Sequence, residues 1–217
     1  EIRNCDWSSD VCSSDLTIAV VGSHSGCGAT HIAIALVTTL NYLGISAVYQ
    51  EKNWSNDLRK TVAQLKHVWE KNGCFFYRNF TGFPKYDSGI EIPEPVAQIM
   101  VNDYGCDFSS SCLATGDHFI YVCGGALWHR DDAKSKAFFL QNFGNRLHVV
   151  ANLCDHNSAI YFARTFSQPV YSYPFNTDIF RADKEKLDFV YWLQQPEKGR
   201  NRLFLRFINH LFRLLQP

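Results

Sequence analysis

The stretch Thr17 to Leu40, TIAVVGSHSGCGATHIAIALVTTL, is the part of the chain whose reading decides the fold. A short apolar run, Ile18 to Val21, ends in a small-residue loop from Gly22 to Gly28, and an apolar-periodic helix begins near Thr30. Gly26 and Gly28 let the backbone turn its N–H groups inward, and the helix N-terminus adds partial positive charge. The turn is therefore a seat for an anion such as phosphate.

Working outward, Thr30 to Leu43 places Ile32, Leu36, Leu40 and Leu43 on one helical face, with Gly44 as the stop. Ser46 to Glu51 (SAVYQE) reads as the next strand. A strand, a helix and another strand make a βαβ unit and imply a parallel sheet. Asp57 to Asn72 is expected as a polar helix with Leu58, Val62, Leu65 and Val68/Trp69 inward, closed by Gly73. Cys74 to Pro84 is aromatic-rich and fits either an edge hairpin or a lid. The βα rhythm then repeats: strands are expected at Val96 to Asp103, His118 to Cys123, Leu147 to Asn152 and Pro169 to Tyr173. Helices are expected through Phe139 and from about Asn157 to Phe166. The expected class is α/β: a doubly wound, mostly parallel sheet in a three-layer α/β/α arrangement, with its site at the strand C-terminal ends.

Composition agrees. At 217 residues, 46% hydrophobic and formally neutral, the chain can bury one sizeable core. Neutrality argues against nucleic acid as a partner across the whole surface. The eight cysteines form no CxxC pair, which reads as free thiols in a reducing cytoplasm. No apolar run is long enough to span a bilayer. Asp6 to Leu16, DWSSDVCSSDL, matches a translated sequencing adapter, so residues 1–16 are set apart as an artefactual or disordered leader. Residues 17–195 are read as the domain and 196–217 as a basic amphipathic helix. In that tail Arg202, Arg206, Asn209, His210 and Arg213 share one arc, while leucines, phenylalanines and Ile208 fill the rest. Such a helix either lies on an anionic membrane surface or docks in an apolar groove.

Several motifs together carry a family resemblance from Thr17 to about Ala182. GCGATH, YQEKN, IMVNDYG, DHFIYVCGGALW, VVANLCD and PVYSYPFNTDI stand in the order and spacing of the ParA/MinD group of deviant-Walker P-loop ATPases. The chain looks most like the degenerate CpaE/TadZ-type members. The resemblance implies a P-loop NTPase-like fold, a possible homodimer, and ATP or ADP with Mg2+ as ligand. It places nucleotide binding at Ser25, Gly26, Cys27, Gly28, Ala29, Thr30, His31, Asn152 and Pro174. It also makes Thr30 and Asp103 the Mg2+ residues, with Asp103 the Walker B-like acid.

Two positions depart from the family pattern. Ala29 and His24 stand where the resembling ATPases carry lysines, and a methyl group cannot neutralise developing phosphoryl charge. The expectation is nucleotide binding with little or no hydrolysis, in a cytoplasmic localisation or assembly factor, peripheral at the membrane through Arg202, Arg206 and Arg213. One alternative is a nucleotide-independent interaction scaffold on the same fold. Another, weaker, is a nicotinamide oxidoreductase, with Gly26 and Gly28 on the pyrophosphate and Glu51 on the ribose. Its weak point is His31, a bulky ring at the third glycine position. His24 and His31 flank the loop without partners at metal-ligand spacing, and neither reads as a ligand.

Overall fold

The computed structural model describes residues 16–86, 96–108, 116–174 and 178–194. The elements in chain order are β1 (Leu16–Gly22), α1 (Ala29–Tyr42), β2 (Ala47–Glu51), α2 (Asp57–Val62), β3 (Trp69–Lys71), β4 (Cys74–Tyr77) and β5 (Phe80–Phe83). They continue with β6 (Ile99–Asp103), β7 (His118–Gly124), α3 (Arg130–Leu140), β8 (Leu147–Asn152), α4 (His156–Phe166), β9 (Val170–Tyr173) and α5 (Lys184–Gln194). The strands form one nine-stranded sheet in the order β3-β4-β5-β2-β6-β1-β7-β8-β9. From β5 through β9 every pairing is parallel. The β3-β4-β5 edge is antiparallel.

The alternation of β1 explains the layers. Ile18 and Val20 point to one face, where they join Ile32, Leu36 and Leu40 of α1 and Phe189 and Leu193 of α5. Ala19 and Val21 point to the other, against Ala133, Ala137 and Leu140 of α3 and Phe162 and Phe166 of α4. Apolar side chains on both faces are what a central parallel strand requires. The result is a P-loop NTPase-like three-layer α/β/α fold. Strand β1 lies between β6 and β7, and the chain leaves it through α1 on one face but leaves β7 through α3 on the other. The loop after β1 therefore opens where strand order reverses, the usual crevice of such sheets.

Two expectations need correction. Leu16, set apart with the leader, is the first residue of β1: it pairs with Ile99, and its N–H donates to the Gln98 carbonyl at 3.1 Å. The rest of the leader lies outside the described residues, as does the basic tail. The helix expected over Asp57 to Asn72 stops at Val62, and Trp69 begins a strand. Asn72 and Gly73 both take positive φ, 52° and 74°, and make a tight two-residue turn into β4. Trp69 then stacks on Phe76 across the strands, ring centroids 4.5 Å apart. The aromatic segment Cys74 to Pro84 is thus an edge hairpin rather than a lid. Among the described residues no helix is long and apolar enough to cross a membrane, and Cys27, Cys74, Cys106, Cys123 and Cys154 are free thiols.

Candidate functional site

The loop between β1 and α1 is held from several directions. Gly22 closes β1 because a Cβ there would stand 2.3 Å from the Cys27 thiol, and its N–H donates to the Gly105 carbonyl at 2.6 Å. The Ser23 N–H donates to the Val122 carbonyl at 2.8 Å, tying the loop to β7. Gly28 is the N-cap of α1 with φ 94°, and no side chain caps the helix. A Cβ on Gly28 would lie 2.1 Å from Asn152 Nδ2, the same amide that donates to the Cys27 carbonyl at 2.8 Å. Gly26 differs from both: it takes φ 82° with no atom within 4 Å of where a Cβ would be. Its left-handed backbone turns around open space, and no neighbour excludes a side chain there.

That space is a cavity of about 390 Å³, lined by His24 to Thr30, Asn53 to Ser55, Asp57 and Tyr104 to Asp107. The volume lies within the usual range for small-molecule sites. The first-turn N–H groups of α1 have no partner within the helix, and the first turn carries no acid. Backbone dipoles in a first turn that brings no acid of its own favour an anion at the mouth of α1, against the nearby carboxylates of Asp57, Asp103 and Asp107.

Asp103 ends β6 fully buried. It accepts from the Tyr49 hydroxyl at 2.8 Å and from the Gly105 N–H at 2.8 Å, and it is hydrogen-bonded to the Thr30 side chain. Burial pushes its pKa up, and these hydrogen bonds work against that shift. A hydroxyl on the first turn of α1 beside a strand-end carboxylate is an all-oxygen donor pair, which suits Mg2+. Thr30 lines the cavity, whereas Asp103 lies buried behind it and is not among its lining residues.

The other expected site residues fall in different places. Ser25 and Gly26 are exposed on the cavity rim, while Cys27 and Ala29 are buried, with Ala29 part of the core under α1. Asn152 is buried behind the loop and positions it. His31 turns to Tyr173, edge-to-face with centroids 6.1 Å apart, and does not line the cavity; nor does Pro174, which follows β9. Burial and, secondarily, Lys186 lower the pKa of His31. Glu51 is buried, accepting from the Leu58 N–H at the start of α2 and from the Lys85 N–H, each at 3.2 Å. It is a structural cap, which removes the ribose contact that the oxidoreductase alternative needed.

Sequence reasoning missed several neighbours of the loop. Lys136 of α3 donates its ammonium to the Ser23 carbonyl at 2.8 Å. Asn53 reaches the Asp103 carbonyl at 3.1 Å, and Trp54 stands on the cavity rim with the Lys85 ammonium 3.8 Å from its ring centre. Only Trp54 left a signal, as a large aromatic in the polar run KNWSND. His24, which lacked partners at ligand spacing, has His129 stacked on it at 3.6 Å.

No protein-family model matches the chain, and no curated protein sequence matches it. Solved structures match its fold. A ParA family ATPase from Chlorobium tepidum TLS superposes with a TM-score of 0.55 at 14% identity, over 81% of this chain and 90% of that one. A putative plasmid partition protein from Borrelia burgdorferi, bound to AMPPNP, gives 0.54 at 10% identity over 83% and 99%. A chain of the MinC:MinD cell division protein complex of Aquifex aeolicus gives 0.53 at 11% identity over 71% and 79%. The fold is thus the one seen in ParA/MinD-type P-loop proteins.

Proposed function

We propose that this chain is a nucleotide-binding localisation or assembly factor of the ParA/MinD type, with a degenerate loop like that of CpaE/TadZ proteins and little or no ATP hydrolysis. The observation that carries the reading is Gly26. Its left-handed backbone, which favours glycine by itself, lines an open cavity at the uncapped start of α1 and leaves the loop amides room for a phosphate. ATP or ADP is held by the backbone N–H groups of Ser25 to Thr30, with Thr30 and Asp103 holding Mg2+. Bound Mg2+ supplies charge neutralisation at the phosphates. Ala29 leaves the loop without the ammonium that stabilises phosphoryl transfer, so binding outlasts turnover. Lys136 does not replace it in this arrangement, because its ammonium is engaged by the Ser23 carbonyl. Asn152 acts from behind the loop. The assignment of His31 and Pro174 to the nucleotide rests on the resemblance, since neither lines the cavity. Homodimerisation and a peripheral membrane position through Arg202, Arg206 and Arg213 complete the proposal.

One observation favours the nucleotide-independent scaffold instead. Gly22 and Gly28 are demanded by Cys27 and Asn152 whether or not a ligand is present, so most of the glycine pattern has a packing cause. Calorimetric titration with ATP and ADP, with and without Mg2+, separates the two. Mg2+-sensitive binding with negligible phosphate release supports the nucleotide reading. Absence of binding to either nucleotide supports the scaffold, and robust hydrolysis contradicts both.

A further inference from the structure

Of the positions that the resemblance assigns to the nucleotide, those beyond the loop give the cavity no wall: His31, Asn152 and Pro174 do not line it. The cavity opens the other way, past the ends of the neighbouring strands β2 and β6, where Asn53 to Ser55 and Tyr104 to Asp107 line it. Trp54 is the large aromatic of that wall that stands in solvent, 63% exposed, so its indole adds little to the core. The backbone that carries it is nevertheless fixed. The Asn53 amide donates to the Asp103 carbonyl at 3.1 Å, and Asn53 Oδ1 accepts from the Ser55 N–H at 2.9 Å, closing a turn around Trp54. Asn53 is buried against Gly105, where a Cβ would come within 3.2 Å of the amide. One face of the indole is held as well: the Lys85 ammonium lies 3.8 Å from the ring centre while donating to the Lys52 carbonyl at 2.9 Å. Lys85 does not line the cavity, so it backs the ring from outside.

We propose that Trp54 is the base platform of this site: a nucleotide sits with its phosphates on the amides of Ser25 to Thr30 and its base stacked on the cavity side of the Trp54 indole. The inference rests on the nucleotide reading above and moves the base to the β2 side of the loop, away from Asn152 and Pro174. A mounted aromatic ring on one wall and a row of backbone amides on the other suit a ligand with a flat end and an anionic end. The charges agree, because the wall that carries Trp54 also carries Asp57 and Asp107, where an uncharged ring is accommodated and a further anion is repelled. Base stacking on an aromatic side chain is worth about tenfold in affinity or more.

The test is calorimetric titration of the full chain with two probes in the presence of Mg2+: ADP, and inorganic tripolyphosphate, which has phosphates but no base. The wild-type chain should bind both. Trp54→Ala should weaken ADP by about tenfold or more and leave tripolyphosphate unchanged, whereas Trp54→Phe, which keeps a ring, should hold ADP within about threefold of wild type. Because Trp54 is exposed, both replacements leave the core intact, and circular dichroism verifies it. Unchanged ADP affinity in Trp54→Ala overturns the placement of the base while the nucleotide reading survives. Equal loss of both probes overturns it too, since Trp54 would then only shape the loop. Failure of the wild-type chain to bind either probe overturns the placement together with the reading on which it rests.

Discussion

Replacing Gly28 by alanine and Asn152 by alanine, singly and together, tests whether the loop is held from behind as described. In Gly28→Ala the new methyl would meet Asn152 Nδ2 at 2.1 Å, at a backbone φ of 94°. The left-handed conformation alone costs about 1–2 kcal/mol with a side chain present. Relief of the clash requires the Asn152 amide to move off the Cys27 carbonyl, which leaves buried polar groups unpaired at about 1–3 kcal/mol. The single variant should therefore lose roughly 2–5 kcal/mol. Asn152→Ala alone loses the same hydrogen bond, about 1–3 kcal/mol. In the double variant the clash is gone and the lost bond counts once, so it should be more stable than the sum of the singles by about 1–3 kcal/mol. Urea unfolding with linear extrapolation measures all three. Additivity within about 0.5 kcal/mol would refute the coupling.

Three further outcomes are expected. Ala29→Lys places an ammonium at the mouth of α1 and should tighten Mg2+–ATP binding about tenfold, as about 1.5 kcal/mol of charge-assisted bonding implies; unchanged calorimetric affinity would remove the phosphate from that position. His31 has a pKa below the ordinary 6.5, so the unfolded chain binds its proton first and stability should fall as pH drops below 6.5. The His31→Phe variant should show a smaller loss of Tm between about pH 7.5 and about pH 5.5 than the native chain, and equal losses would place the titration elsewhere. If the Arg202, Arg206 and Arg213 face meets lipid, sedimentation with liposomes should require acidic lipid and weaken with salt, while binding that ignores lipid charge would favour a docked helix.

The central sheet was legible because its strands are short apolar runs with a glycine or an acid at their ends. Leu147–Asn152 falls where the run predicts it, and β1, β6 and β7 lie within a few residues of theirs. The segment after α2 was misread because Leu58, Val62, Leu65 and Val68 keep a helical period although only the first turns are helical. The Asn72–Gly73 pair carried the better signal, since both residues tolerate the positive φ that a two-residue hairpin needs. Within the site, the glycines announced the loop, but sequence could not separate glycines required by packing from Gly26, which packing leaves free. Lys136 and His129 stayed hidden for another reason. They arrive from the far side of the sheet, and helical spacing within α3 says nothing about which strand end the helix reaches.

The placement of β1 also shapes how the chain must fold. Its partners are late: Leu16 pairs with Ile99 and Ile18 with His118, so β1 finds neither neighbour until everything from α1 through β5 has been synthesised. The β3-β4-β5 hairpins, by contrast, close over a few residues and can form within microseconds. Such long-range pairing makes a slow folder, and it leaves Ile18, Val20 and Val21 uncovered on a nascent chain. Capture by a chaperone during synthesis is therefore a cost written into the same strand order that opens the crevice at the mouth of α1.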